Sequence, residues 1–144
     1  MDLRVDIITL AVPDLDEAHA FYVKRLGWHP ALAIPGEVTF LRAGPGRMVG
    51  LFGRRDLERD VGDRERVPPF DLGQLFDTPA EVDTAVEAMV AAGAKVRKPP
   101  QRPEFFEGYH AYVEAPDGTV WELVYNPGFH FDSEGAPHFA PPGG

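Results

Sequence analysis

Two side chains near the end of the chain have the types and the setting for chemistry. Glu122 lies in the apolar run TVWELVY. A carboxylate buried in such a run is costly unless something pairs with it. It can bind a metal, act as an acid or base, or face water. If it is desolvated without a cation its pKa rises, which suits a general base or acid. Val120, Glu122 and Val124 share one face of the expected strand, and Trp121, Leu123 and Tyr125 share the other. The aromatic set reads as packing under a helix, so Glu122 points the opposite way. His110, in YHAYVEA, alternates with Tyr112 and Glu114, while Tyr109, Ala111 and Val113 share the second face. His110 reads either as a donor to a bound ligand or as an ordinary half-exposed strand histidine. His19 and His29 read as surface residues, and His130 and His138 fall in the tail.

Apolar candidates accompany these two. Phe40, Met48 and Phe52 fall on alternating strand positions, and Trp28, Phe105, Phe106 and Tyr109 sit in loops or at their ends. Each either fills the core or lines a binding surface. Ten Phe, four Tyr and two Trp in a small domain favour a pocket that stacks a flat ligand. The chain has no cysteine, which excludes thiolate zinc sites, disulfides and cysteine nucleophiles.

The elements that must position these residues follow from periodicity and punctuation. VDIITLAV reads as a strand. Asp14 and Glu17 form a helix start, Leu15, Ala18, Phe21, Tyr22 and Leu26 recur at helical spacing, and Gly27 ends the helix. GEVTFLRAG and RMVGLFG flank a Gly-Pro-Gly turn. The charged stretch RRDLERDVGDRERVPP reads as an exposed helical turn plus linker. FDLGQLF is strand-like. Thr78, Pro79 and Glu81 start a second helix, whose apolar stripe is Val82, Ala85, Val86, Met89 and Val90. A loop rich in Pro and charge, RKPPQRPEFFEG, follows, and PPQRPEFFEGYH is the expected lid. YHAYVEA and TVWELVY then flank Pro116-Asp117-Gly118.

The order strand, helix, strands occurs twice. An offset of 64 lays ITLAVPDLDEA over LGQLFDTPAEV, and an offset of 72 lays GEVTFLRAGPGRMVGLFG over GYHAYVEAPDGTVWELVY. Two such units side by side can curve around a shared cavity. The expected fold is α+β, with two tandem βαβββ modules forming a curved mixed sheet around a cleft. Residues 1–128 form one domain, with modules at about 1–56 and 68–128 and a linker at 57–67. Residues 129–144 form a Pro/Gly-rich tail with a mobile end, whose Phe129, Phe131 and Phe139 tether it to a partner subunit or across the cleft.

Three segments, ITLAVPDLDEAHAFYVKRLGW, PAEVDTAVEAMVAAGAKVRKPP and EAPDGTVWELVYNPG, together with this duplication, resemble the vicinal oxygen chelate superfamily of glyoxalases, bleomycin-resistance proteins and extradiol dioxygenases. The resemblance covers roughly residues 5 to 128. It implies a cleft between paired modules and, where a metal is bound, ligands from the first and last strand of each module. Those positions here are Ile7, Gly50, Asp71 and Glu122, so only Asp71 and Glu122 can hold a cation. Two carboxylates without an imidazole suit a hard ion held partly by water, not a nitrogen-rich zinc site. The resemblance also implies a homodimer.

The sequence therefore leads to two readings. The first is a small-molecule-binding protein without a metal cofactor, holding an aromatic or apolar ligand for sequestration or resistance. Its contacts are Phe40, Met48, Phe52, Phe106, Tyr109, His110 and Glu122. The second is a metal-dependent lyase, isomerase or dioxygenase in which Asp71 and Glu122 hold Mg²⁺, Mn²⁺ or Fe²⁺. Between them stands a metal-free enzyme with Glu122 or His110 as the base. The net charge of −9 and pI of 4.9 argue against nucleic-acid and anionic-lipid partners. No basic leader precedes a long apolar core, and no apolar run nears the roughly 20 residues of a membrane span. A cytoplasmic protein is expected.

Overall fold

The computed structural model describes residues 2, 4–62 and 68–139. The chain runs β1 (Ile7–Val12), α1 (Leu15–His19, continuing as a π-helical stretch Ala20–Arg25), β2 (Pro30–Ile34), β3 (Val38–Arg42), β4 (Met48–Gly53) and α2 (Arg54–Val61). It continues with β5 (Phe70–Phe76), α3 (Pro79–Ala91), β6 (Lys95–Gln101), β7 (Tyr109–Glu114), β8 (Val120–Tyr125), β9 (Phe129–Phe131) and β10 (Pro137–Phe139). Eight strands form one curved, unclosed mixed sheet in the order β2-β3-β4-β1-β5-β8-β7-β6. Read outward from its centre, the order is the same on both sides: first strand, last strand, middle strand, edge strand. β1 pairs with β4 and β5 with β8 in parallel, while β1 and β5 meet antiparallel at the centre.

Local chemistry accounts for the helix starts. Asp14 Oδ1 accepts from the Glu17 N–H at 3.0 Å, and Thr78 Oγ1 accepts from the Glu81 N–H at 3.2 Å. Glu81 in turn accepts from the Asp77 N–H at 2.9 Å. The apolar face of α3, Val82, Ala85 and Val86, packs on Ala111, Val113 and Leu123. Both sheet edges tolerate poor strand formers. β6 contains Pro99 and Pro100, which lack the N–H an inner strand must donate.

Several expectations are corrected. Residues 54–61 of the charged stretch are a helix, and Leu57 and Val61 are wholly buried at its i and i+4 positions. They join Ala11, Phe52, Tyr112 and Val120 in a cluster on the cleft face. Gly62 caps the helix, and the remaining residues of the expected linker, 63–67, lie outside the described residues. Trp28 does not reach the cleft; it is about half exposed and stacks on Tyr22 at 5.2 Å. Phe21 and Leu26 are exposed too, because the stripe drawn for a regular helix is rotated where α1 widens into a π-helical stretch. His19 is half-buried, its Nδ1 2.9 Å from Thr39 Oγ1.

The start of the tail is a hairpin of β9 and β10 that folds back onto the sheet. Its turn fits closely over the turn at 44–46: the Gly46 N–H donates to Gly135 O at 2.8 Å, and a Cβ on Gly135 would lie 2.6 Å from Gly46 N. Phe129, Phe131 and Phe139 pack with Ile7, Phe40, Met48 and Leu75. Residues 140–144 lie outside the described residues. No helix among the described residues is long and apolar enough to cross a membrane.

Candidate functional site

Strand alternation sends one face of each strand toward α3 and α1 and the other into a cleft of about 190 Å³. From the first half of the sheet come Ile7 and Thr9 of β1, Val38 and Phe40 of β3, and Met48, Gly50 and Phe52 of β4. From the second come Asp71 and Leu75 of β5, Tyr112 of β7, and Glu122 and Val124 of β8. Asp60 of α2, Glu37 between β2 and β3, Phe105 and Phe106 of the loop at 102–108, and Phe129 and Phe139 of the hairpin also line it. The β1–β5 register, with Thr9 opposite Asp71, sets Asp71 on the cleft face and Gln74 on the other. Gln74 instead holds the segment before β1, donating to Asp2 O at 3.0 Å.

The polar groups gather in the second half. His110 Nδ1 lies 2.7 Å from Glu122 Oε2. In the neutral imidazole that donates from Nδ1 to the carboxylate, Nε2 is an acceptor. His110 is wholly buried behind the cleft wall, and its Nε2 has no hydrogen-bond partner. The Tyr112 hydroxyl donates to Asp60 Oδ2 at 2.5 Å, and Lys98 Nζ stands 3.6 Å from Asp60 Oδ1. Burial, then the Glu122 charge, raises the Asp60 pKa, while Tyr112, His110 and Lys98 pull it back. Tyr112, buried among Glu122, Asp71 and Asp60, is held well above the usual phenol value, so it remains a donor.

Asp71 is the least compensated group. It is 2% exposed, and neither carboxylate oxygen makes a well-formed hydrogen bond. Burial first, then the negative charges of Glu122 and Asp60, raise its pKa well above the carboxylate range; the Thr9 hydroxyl opposes them only in part.

The expected contacts therefore divide. Phe40, Met48, Phe52, Phe106, Asp71 and Glu122 line the cleft. His110 is buried beside Glu122 and does not itself line the cleft. Tyr109 faces away: as an odd-numbered residue of β7 it packs near α3 and donates to Asp83 at 2.7 Å. Sequence reasoning missed Asp60, Thr9 and Leu75. Asp60 was hidden in a charge-rich segment, where the only signal was Leu57 and Val61, four apart, on a helix that has to bury that stripe.

The four strand positions that would ligate a metal do converge on the cleft, but the donor set does not fit one. Ile7 offers no donor. Gly50 has none either, and its side-chain space is occupied: a Cβ there would meet the Phe40 ring at 3.0 Å. A second group, Asp60, His110 and Glu122, has ligand atoms within 4.8 Å of one another. That spacing suits one ion, but Lys98 already sets a positive charge beside Asp60 and would repel it.

Comparisons with known proteins bear on the family and the fold. Residues 4–123 match the family model described as Glyoxalase/Bleomycin resistance protein/Dioxygenase superfamily. No curated protein matches the chain. A glyoxalase-related enzyme from Fulvimarina pelagi is 31% identical, over 96% of this chain and 99% of that one, at a TM-score of 0.48. A structure described as an NAD-dependent benzaldehyde dehydrogenase from Legionella pneumophila is 17% identical at a TM-score of 0.68, over 83% of this chain and 97% of that one. A Mn(II)-bound glyoxalase from Novosphingobium aromaticivorans is 20% identical at a TM-score of 0.59, over 95% of this chain but 40% of that one. The latter two likenesses establish a shared fold and nothing more.

Proposed function

We propose, for a chain that belongs to the glyoxalase/bleomycin resistance protein/dioxygenase superfamily, that its cleft binds a compact, largely apolar small molecule and needs no metal to do so. One observation carries this reading: the two ligand positions of the first half are closed by Ile7 and by the Phe40 ring over Gly50. Those groups build an apolar wall where a metal site would need donors. Met48, Phe52, Phe105, Phe129 and Phe139 extend that wall, so most of a bound ligand's surface would be removed from water. The cleft volume lies below the roughly 300–1,000 Å³ of drug-sized sites, which favours a small ligand. Sequestration of a toxic metabolite or antibiotic is the use that fits a site built to hold rather than to activate. Exposed Phe21, Leu26 and Trp28 support pairing of two copies as part of the same proposal.

Metal analysis of protein purified without chelators is the direct test. It should find far less than one equivalent of divalent ion, and ligand binding should survive chelation. One tightly held equivalent, lost in Glu122→Ala, would overturn the reading. That result would favour a metal-dependent lyase, isomerase or dioxygenase, with Asp60, His110 and Glu122 as the ion's seat.

A further inference from the structure

We infer that the cleft selects ligands whose apolar body carries a positively charged nitrogen, seated against Asp71 and Glu122. This inference rests on the reading of the cleft as a small-molecule site and names the class of molecule it takes.

Four carboxylates line one small cleft whose other walls are mostly apolar: Glu37, which is exposed, and three that are buried or half-buried, Asp60, Asp71 and Glu122. Two of these three have partners. Glu122 Oε2 has His110 Nδ1 at 2.7 Å, and Asp60 has the Tyr112 hydroxyl and the Lys98 ammonium. Asp71 has both oxygens buried without a well-formed hydrogen bond. A buried carboxylate in that condition is an unmet demand for a donor or a positive charge. The charged groups that act on it are Glu122 from β8 and Asp60 from α2, both negative, and its other polar neighbour is the Thr9 hydroxyl of β1. The Tyr112 hydroxyl of β7 is already committed to Asp60. Among the described residues, nothing cationic in the cleft is directed at Asp71, so the ligand has to bring the charge.

An organic cation suits this better than a bare ion. Asp71 does not join Asp60, His110 and Glu122 in their compact group, so the carboxylates are spread wider than one ion's coordination shell. An ammonium or amidinium on an aromatic body would place its N–H donors on the Asp71 oxygens and its ring against Phe40 and Phe52. Aromatic faces also attract cations directly. Because burial and the neighbouring negative charges hold Asp71 toward its protonated form, seating a cation would expel that proton.

The test is calorimetric titration of the full chain with matched pairs: benzylamine against benzyl alcohol, and benzamidine against benzamide. The cation of each pair should bind about tenfold tighter or more. Its advantage should grow as pH rises from about 5 to 8, and its heat should vary with buffer ionisation in the sense of proton release. Asp71→Asn should abolish the advantage while leaving the neutral member's affinity within about threefold, which also shows that the variant is folded. Equal or tighter binding by the neutral members overturns this inference and leaves the apolar-cleft reading standing. So does an advantage that survives Asp71→Asn. If no member of either pair binds, both readings fall. Manganese chloride that binds tightly, displaces benzamidine and loses its grip in Asp71→Asn identifies the carboxylates as an ion site and overturns both.

Discussion

The two halves of the cleft are copies in backbone and opposites in chemistry. At the repeat offset of 64, Ile7 corresponds to Asp71. At 72, Val38 corresponds to His110, Phe40 to Tyr112 and Gly50 to Glu122. The first-half members all line the cleft, and each is apolar or has no side chain. Their mates form the polar cluster. A duplicated unit fixes where Cβ atoms point, since register and alternation are backbone properties. It leaves free what hangs from them. The cleft has thereby become two-sided, with one wall that excludes water and one that presents charge. A binding site needs both, the first for affinity and the second for orientation.

Imposing a first-half residue on the second half should break this asymmetry where it is most tightly built. His110→Val does so. It removes a wholly buried ring and leaves Glu122 Oε2 without its partner at 2.7 Å. The expected cost is about 2–4 kcal/mol, or on the order of 10 °C in Tm. Urea unfolding checks it. A cost under about 0.5 kcal/mol would mean that the imidazole does not brace the carboxylate.

A smaller effect with a distinctive pH dependence is expected from Asp71→Asn. Burial and neighbouring charge raise the Asp71 pKa in the folded state. Between the unfolded value, near 3.9, and that raised value, the folded chain binds more protons than the unfolded one, so stability falls as pH rises through this window. Asp60 shifts in the same direction and contributes its own share of the slope. Asp71→Asn should therefore gain stability relative to the parent as pH rises from about 4. Thermal melts across that range check the sign. A relative loss with rising pH would mean that Asp71 is paired after all.

Much of this arrangement was legible in the sequence, for identifiable physical reasons. The helix starts at Asp14 and Thr78 are written in local residue types and form as expected. The duplication sets Glu122 opposite a blank at Gly50 in the sequence itself. What escaped depended on long-range packing. The stretch 54–61 shows two apolar residues among charges, and only the cleft gives Leu57 and Val61 something to bury against. The hairpin at 129–139 has no periodicity of its own and is held by Phe-on-Phe packing, with Phe139 stacked on Phe40 at 5.7 Å. The placement of Tyr109 was readable from alternation alone, because it shares the face of Ala111 and Val113. Nothing in the sequence showed that Asp71 would lack a partner, since a missing contact is a property of the whole fold.

The smallest perturbation asks whether the blank in the first half is held shut. In Gly50→Ala the new Cβ would meet Phe40 Cε1 at 3.0 Å, Cδ1 at 3.3 Å and Thr9 Oγ1 at 3.6 Å. Phe40 has limited room to retreat, because Phe139 is stacked against it. The expected cost is about 1 kcal/mol, the lower end for overpacking, since only one ring edge has to shift. If contact with that ring is the cause, Phe40→Leu should relieve it. A double-mutant cycle should then show the alanine costing less in the Leu background, with a coupling of about 0.5 kcal/mol or more. Additive costs would mean that contact with the Phe40 ring is not what keeps a side chain off position 50. The difference between the two walls would then not come from an aromatic ring taking the place of a side chain.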